Sequence, residues 1–595
     1  MDATDIQIAI CGSAGDGTIA AGEILRQAMA LAGFKVIAFD VYPPEIRGFG
    51  ECIARTRFTS QAVYSMKEKS DVLVSLNDRH AISHVPEVRE YGAVVYDNAP
   101  VTLLKEGAHI SAHIKPGQIP YGFPAREIAE RATGAAKARN MVAVGYVAGL
   151  YGMSRDAFHE TITTKFRTKA ETIISDNIAA FDAGFDQGAA TFRLDFSHLG
   201  RPHRSRTKAV MMNGNAAIAR GCLDAGIDTF FGYPITPATT ILETLAAEMP
   251  KHGGRLLQAE DEIAAISATI GANFAGSRAA TATSGPGLAL MTEMLGLGVM
   301  AEIPAVVFVS QRGGPSTGMP TKTEQSDLNL AVYGGSGDAR RIVLAPTNVE
   351  GCYRCAGRAF EIAETFQTPV IVLLDLYLSN RFETVSLPDK APFLLNVGKG
   401  LDAYEGTGPY ERYSFADDGI SPRAIPGETG GIHTITGLEH NTLGRPRDLP
   451  DVHIAMSKKR HDKLAAAVRY PGLTVAKRFG DSGKVDVGVI AWGSTFGEAL
   501  EATLTAREEG IRCAAMKVVM LSPLPLGRIR RFIADCRRVV ICELNHEGQF
   551  ANLLSGAIGQ SFERVTSVPG VPMPVGAVLD EIRRLARSGR KTAAA

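Results

Sequence analysis

Repeatedly along this chain a short apolar run ends in a turn marked by glycine or proline, and the turn opens into helical spacing. Residues 6–10 read as a strand, residues 11–17 (CGSAGDG) as a glycine-rich turn, and residues 18–31 as a helix with Ile19, Ile24, Leu25 and Met29 on one side. Strands at 35–39, 72–76 and 93–96 follow. The alternation returns with strands at 229–231, 279–283, 305–310 and 369–374 and helices at 215–225, 238–248, 262–275 and 287–301. It returns once more with strands at 486–491, 514–519 and 539–542. Strands alternating with helices build parallel sheets covered by helices. The expected fold is α/β, with three consecutive α/β domains and mostly parallel sheets over residues 1–190, 207–387 and 483–595. There is no internal sequence repeat. Residues 388–482, rich in Gly, Pro, Tyr and charge, are expected to form a long, functional connecting region.

Residues 182–188 are polar and glycine-rich and read as the start of a linker that carries Arg193, Arg201, Arg204, Arg206 and Lys208. A solvated linker, or one resting on another subunit or an anionic ligand, is expected there rather than a nucleic-acid arm. The charge balance agrees: 63 Lys+Arg stand against 63 Asp+Glu, so no global excess points to nucleic acid or an anionic membrane. The 595 residues suffice for several domains. No apolar run approaches the roughly 18 residues of a membrane span. The opening MDATDIQIAI has no basic, signal-like segment, and eight scattered cysteines suit a reducing compartment, so a cytoplasmic location is expected.

Five segments can carry chemistry. GSAGDGTIAAG at 12–22 either brings backbone up to a phosphate at a helix N-terminus or is a tight turn with no ligand. Its GDG is not the magnesium motif of thiamine diphosphate enzymes, because the required downstream Asn is missing from residues 39–46. FGYPITPATT at 231–240 places Thr236 as a helix cap before Pro237, at the C-terminal end of a strand where α/β sheets bind ligands. In QAEDEIAAISATIGANFAG at 258–276, Glu262 either complements a helix dipole or is a carboxylate desolvated by Ile263, Ala264, Ala265 and Ile266 for proton transfer. ATSGPGLALM at 282–291 is an anion or cofactor edge, or a cap. QRGGPSTGMPTKTEQSD at 311–327 follows a buried strand and offers Arg312 as a fork for a carboxylate, with Ser316, Thr317, Lys322 and Thr323 as further donors.

Other chemistries lack their residues. Cys352 and Cys355 form the only close cysteine pair and lie in a helical run, so no zinc or iron–sulfur site is expected on this chain. His440 and His546 have no ligand spacing. No Walker A sequence is present.

Together GYPITP, QAEDEIAAI, ATSGPG and QRGGPSTGMPT, in this order, resemble the α subunit of the 2-oxoacid:ferredoxin oxidoreductases, thiamine diphosphate enzymes that form acyl-CoA and reduce ferredoxin. The match covers nearly the whole chain. GSAGDGTIAAG and YPPEIRGFG are similar to the family's γ domain, fused ahead of the α domain as in 2-oxoglutarate and related 2-oxoacid synthases; GLEH at 437–440 and ICELNHEGQF at 541–550 also look familial. The resemblance implies a γ-like domain, a pyrimidine-binding domain and a domain like the transketolase C-terminal one.

The resemblance also implies roles. Glu262 faces N1′ of the aminopyrimidine and promotes deprotonation at C2. Tyr233, Pro234 and Ile235 shape the cofactor site, Thr236 bonds the 2-oxoacid, and Arg312 holds its carboxylate. Lys322 stands where the family often has Arg; a second cation suits a dicarboxylate such as 2-oxoglutarate. The diphosphate–magnesium site and the 4Fe–4S cluster are expected on a separate β subunit. Coenzyme A contacts are expected in the γ-like segment and the last domain. The implied assembly is an αβ unit or its dimer, acting with ferredoxin, a 2-oxoacid and CoA. The same chemistry on pyruvate, branched or aryl 2-oxoacids is the nearest alternative. A non-catalytic coenzyme-binding regulatory subunit is the alternative from another class, disfavoured by the presence of both Glu262 and Arg312.

Overall fold

A computed structural model describes residues 5–41, 50–99, 109–191, 209–395 and 397–588. The basic stretch Arg193 to Lys208 and most of YPPEIRGFG lie outside these residues, except that Gly50 is described. The chain forms two compact units: Met1–Met212 with Arg381–Leu387, and Asn213–Asn380 with Pro388–Ala595. Most neighbouring strands among the described residues pair in parallel, so the α/β expectation of mostly parallel sheets holds.

The first unit is built on an eight-stranded sheet. Asp5–Ser13 pairs in parallel with Ser70–Ser75, which continues in parallel to Val88–Asp97 and Ile119–Phe123. On its other side the sheet is antiparallel, because Glu51–Thr59 inserts between Asp5–Ser13 and Lys35–Val41. Its sequence, ECIARTRFT, hides this role. Arg57 is buried, and its cost is offset by bonds to Asp5 through Nε at 2.8 Å and Nη2 at 2.8 Å. Phe382–Ser386 joins antiparallel to Lys35–Val41, with Val36 N–H donating to Thr384 Oγ1 at 3.1 Å and the Arg26 guanidinium 4.1 Å over the Phe382 ring.

Residues 182–188, expected as linker, are instead helical, within Glu171–Ala190. Their glycines are contact points. A Cβ on Gly184 or Gly188 would collide with the carbonyls of Val142 and Tyr146, in the facing helix Arg139–Leu150. Close backbone approach of two helices, rather than chain flexibility, explains these glycines.

The second unit holds two sheets. Six parallel strands of the larger one run Ile342–Leu344, Pro369–Asp375, Ala305–Gln311, Ala279–Thr283, Thr229–Gly232 and Arg255–Gln258. Its seventh strand, Met520–Ser522, comes from the last α/β segment and is antiparallel to Ile342–Leu344. The smaller sheet orders Ala476–Gly480, Cys513–Val518, Val485–Ala491, Cys536–Glu543 and Glu563–Thr566. One core spans both sheets, with Leu295, Val307 and Leu373 continuous with Trp492, Ile541 and Phe550. Shared apolar burial of this kind makes one unit of two sheets.

Among the described residues of 388–482, regular structure is limited to the helix Pro450–Asp462, the tighter helical segments Leu401–Ala403 and Lys463–Arg469, and the edge strand Ala476–Gly480. Charge ties the region down. The fully buried Glu302 carboxylate accepts from Lys459 Nζ at 2.5 Å and Lys463 Nζ at 2.7 Å, and Arg412 Nη2 donates to the Glu302 carbonyl at 2.7 Å. Among the described residues no helix is long and apolar enough to cross a membrane.

Candidate active site

The larger sheet's six parallel strands end at one edge, the place where such sheets bind ligands. Thr229–Gly232 feeds the YPITP loop, Ala279–Thr283 the SGPG turn, and Ala305–Gln311 ends one residue before Arg312.

Glu262 opens the helix Glu262–Phe274. The cap is its neighbour: Asp261 Oδ1 accepts from Ala264 N–H at 2.7 Å, which frees Glu262 from that duty. Glu262 is 6% exposed, and among the described residues none hydrogen-bonds its carboxylate. It packs on Gly287, in the first turn of the helix Gly285–Met300; a Cβ there would stand 2.6 Å from Glu262 Oε1.

Arg312 is 7% exposed, and its Nη1 donates to the Thr236 carbonyl at 2.7 Å across a separation of 76 residues. Its Nε is buried without a partner. Burial pushes the guanidinium below its ordinary value, while the charges of Asp327 and Glu262 pull it back up. The structure therefore brings Glu262, Arg312 and Thr236 together. Tyr233, Pro234 and Thr236 are exposed at the mouth of the same loop and Ile235 is half-buried. Asn215 Nδ2 anchors the loop by donating to the Pro237 carbonyl at 2.8 Å and Thr240 Oγ1 at 2.7 Å.

Thr236 is not the helix cap expected of it. The helix is Thr239–Glu248 and its cap position is Ala238. The Ile235 carbonyl accepts from Ala238 at 2.8 Å and Thr239 at 3.1 Å, so a turn separates the exposed Thr236 from the helix.

Lys322 stands at the other foot of the loop after Arg312, where Gly313 N–H donates to the Lys322 carbonyl at 2.9 Å and Met319 N–H to the Gly313 carbonyl at 2.8 Å. Its exposed side chain runs past Gly570. Beyond it the chain is fixed by a buried polar network that sequence motifs contain but do not mark out. Gln325 exchanges bonds with Leu544 (N–H to carbonyl 2.7 Å, Oε1 from N–H 3.0 Å) and donates from Nε2 to Asp375 Oδ2 at 3.1 Å. Asn545 Nδ2 donates to the Gln325 carbonyl and to Glu543 Oε2. Glu543, Leu544 and Asn545 belong to ICELNHEGQF, so that motif buttresses the site loop. The signal for it in the sequence is the run of amide and carboxylate side chains in TEQSD beside a buried strand.

In the first unit the GSAGDG turn uses positive φ at Gly15 (97°) and Gly17 (77°), and Asp16 accepts from Ser13 N–H at 2.8 Å and Arg139 Nη2 at 2.7 Å. Cys352 and Cys355 are buried on the helix Val349–Phe366. Among the described residues no three His, Cys, Asp or Glu side chains are grouped to hold a metal ion.

The second unit fits the aminopyrimidine half of thiamine diphosphate. A buried carboxylate with its acceptor capacity unused stands at the strand ends, its position fixed by the missing side chain of Gly287, the chemistry that ring nitrogen N1′ would need.

Comparison with known proteins agrees. The family described as "Pyruvate flavodoxin/ferredoxin oxidoreductase, thiamine diP-bdg" matches residues 220–459; "Pyruvate ferredoxin/flavodoxin oxidoreductase" matches residues 7–187, and "Pyruvate:ferredoxin oxidoreductase core domain II" residues 485–572. The chain is 31% identical to 2-oxoacid:ferredoxin oxidoreductase 2, subunit alpha, of Aeropyrum pernix, over 99% of this chain and 98% of that one. It is 33% identical to 2-oxoglutarate oxidoreductase subunit KorA of Mycobacterium tuberculosis, over 98% and 91%. A solved 2-oxoglutarate:ferredoxin oxidoreductase from Magnetococcus marinus, with 2-oxoglutarate, coenzyme A and succinyl-CoA bound, superposes with a TM-score of 0.92 at 34% identity, over 98% of this chain and 100% of that one. The alpha and KorA relatives are named as subunits, which implies a partner subunit here as well. By its thiamine-diphosphate-binding domain and its full-length relatives, the chain belongs to the 2-oxoacid:ferredoxin oxidoreductases, as their α subunit.

Proposed function

We propose that this subunit serves the CoA-dependent oxidative decarboxylation of 2-oxoglutarate, or its reductive reverse, with ferredoxin as electron carrier. The observation that carries the reading is Arg312, a buried guanidinium fixed to the Thr236 carbonyl beside the Glu262 carboxylate. A fork fixed at one nitrogen keeps donors for a carboxylate. Thr236, exposed and held to Arg312 through its carbonyl, bonds the 2-oxo group. Thiamine diphosphate, when bound, supplies the carbon nucleophile that attacks the 2-oxo carbon and takes the electrons left as CO2 departs. Glu262 holds and returns a proton at N1′ of the aminopyrimidine, with Tyr233, Pro234 and Ile235 shaping the space for that ring. The choice of 2-oxoglutarate is supported by the substrates named for the Mycobacterium and Magnetococcus relatives, and by Lys322 as a second cation on the Arg312 loop.

The reading places magnesium, the diphosphate site and the 4Fe–4S cluster on a β subunit, in an αβ pair or its dimer. Leu257, Ile263 (47% exposed) and Leu290 (51% exposed) support such a partner. Gly271 and Gly296 lie inside helices with nothing within 4 Å of where a methyl group would stand, and a helix-interior glycine costs about 0.5–1 kcal/mol that nothing in this chain explains. The same reading puts the complex in the cytoplasm, in keeping with eight free cysteines.

The test is a substrate panel on the chain co-expressed with its β subunit. 2-Oxoglutarate should give the highest kcat/KM. Preference for pyruvate, a branched or an aryl 2-oxoacid would replace the substrate, and absence of turnover on all of them would favour a regulatory subunit. The isolated chain should show neither turnover nor an iron–sulfur chromophore; stoichiometric iron on the single chain would overturn the division of labour.

A further inference from the structure

Asp327 carries a carboxyl group that its own helix does not use. It occupies the cap position of Leu328–Tyr333, where aspartate ordinarily turns back onto the first N–H groups, yet it makes no capping bond. Its Oδ2 is buried without a hydrogen-bond partner. The carboxyl is instead pressed onto Gly285, the first residue of the helix Gly285–Met300: a Cβ there would stand 2.5 Å from Oδ2 and 2.7 Å from Oδ1. The backbone fixes this position. Asp327 N–H donates to Gln311 Oε1 at 3.0 Å, and Gln311 Nε2 donates to the Leu374 carbonyl at 3.0 Å.

Gly287 receives Glu262 in the same manner. Two carboxyl groups thus lie on one helical turn, each over a residue without a side chain, and the charge of Arg312 is felt by both. The charged groups facing Asp327 are Arg312, one residue past the strand Ala305–Gln311, and Glu324, from its own loop; the first turn of Gly285–Met300 adds no acidic side chain.

One buried guanidinium is therefore opposed by two carboxyl groups before any substrate arrives. A substrate carboxylate on Arg312 would bring three against one, and uncompensated charge in a buried site is costly. Relief comes from protonating the carboxyl with the greatest proton affinity. We infer that binding of the 2-oxoacid carboxylate at Arg312 is coupled to uptake of a proton from solvent by Asp327, which makes Asp327 a proton-linked positioning residue. The inference rests on Arg312 as the substrate's carboxylate site. Burial, aided by Glu324 and opposed by Arg312, already pushes the Asp327 carboxyl up to about 6. A bound anion raises it further, so affinity is full below about pH 6 and falls as pH climbs above it.

The experiment is the pH profile of kcat/KM for the accepted 2-oxoacid in the assembled complex, for wild type and Asp327→Asn, with thermal unfolding alongside. Between pH 6 and 8 the wild type should lose at least about fivefold, and Asp327→Asn less than about twofold, because the amide takes up no proton. A wild-type profile without that limb overturns the inference, whether or not the variant assembles. Parallel profiles offset by a constant factor also overturn it, by showing a merely structural role. Absence of turnover on every 2-oxoacid would instead count against the proposed function itself.

Discussion

The carboxylate of Glu262 lies against the backbone of Gly287, so close that a methyl group there would stand 2.6 Å from Oε1 and would collide with Thr283 Oγ1. Strand end, helix start and turn thus meet at one point, and the space for Glu262 is set by an absent side chain. Gly287→Ala should cost about 1–3 kcal/mol of stability through overpacking. It should lower kcat by about 10²-fold, the scale expected for a misplaced reacting group. Unchanged kcat in a folded Gly287→Ala complex would show that the position of Glu262 is unimportant.

Glu262→Gln separates chemistry from structure. The amide keeps size and hydrogen bonding but cannot carry the proton, a step that contributes about 10²–10⁴-fold. An acidic residue that merely complements a helix dipole contributes about 0.3–1 kcal/mol to stability and nothing to the reaction. Hydrogen–deuterium exchange at C2 of thiamine diphosphate in the assembled complex should slow by at least about 10² with the melting temperature almost unchanged. Wild-type exchange with a lowered melting temperature would move the role elsewhere, to Glu260 first.

Arg312→Ala should lower kcat/KM for the 2-oxoacid at least about tenfold while leaving cofactor affinity nearly intact, since a charge-assisted contact is worth roughly 1.5–3 kcal/mol. Lys322→Ala is the companion. It should penalise 2-oxoglutarate more than pyruvate, because only the former has a second carboxylate. Equal losses on both substrates would remove the argument for a dicarboxylate.

Glu302→Gln tests the buried clamp on the connecting region. Burial raises its carboxyl, but Lys463, Lys459 and Arg412 outweigh that and hold it well below the usual carboxylate range. A depressed native value gives stability that is present above the unfolded carboxyl's range and is lost as pH falls. Wild-type stability should therefore decline from about pH 5 downward. Glu302→Gln should cost about 3–5 kcal/mol at neutral pH, because two buried ammonium groups lose their counter-ion. An equally stable variant would show that the clamp carries no net energy.

Local pattern makes much of this protein legible. Apolar runs and turn residues locate the parallel strands, and the strand ends locate the site. Arg312 and Thr236, far apart in sequence, both follow such strand ends, and they meet. What escapes depends on partners distant in the chain. Glu51–Thr59 is missing from the expected strands because Arg55 and Arg57 interrupt its apolar pattern; the salt bridge to Asp5 and a bond to the Ser65 carbonyl make Arg57 tolerable inside. Residues 182–188 read as linker because glycine usually marks flexible chain, whereas here glycine admits a neighbouring helix. Thr236 has the composition of a cap, but Ile235 closes a turn first. Asp327 stands at the cap position of a helix, and only tertiary packing turns its carboxyl toward Gly285.

The strand Phe382–Ser386, which lies between Lys35–Val41 and Ala209–Asn213, is made long after the rest of its sheet. At about 5–20 residues per second, the roughly 170 residues synthesised in between delay its arrival by roughly 10–30 s. Throughout that interval the nascent sheet presents an open edge at Lys35–Val41, a template for wrong pairing. Vectorial synthesis thus gives this protein a window of vulnerability on the ribosome, one that a chaperone holding the emerging chain would shorten and that refolding of the finished chain does not share.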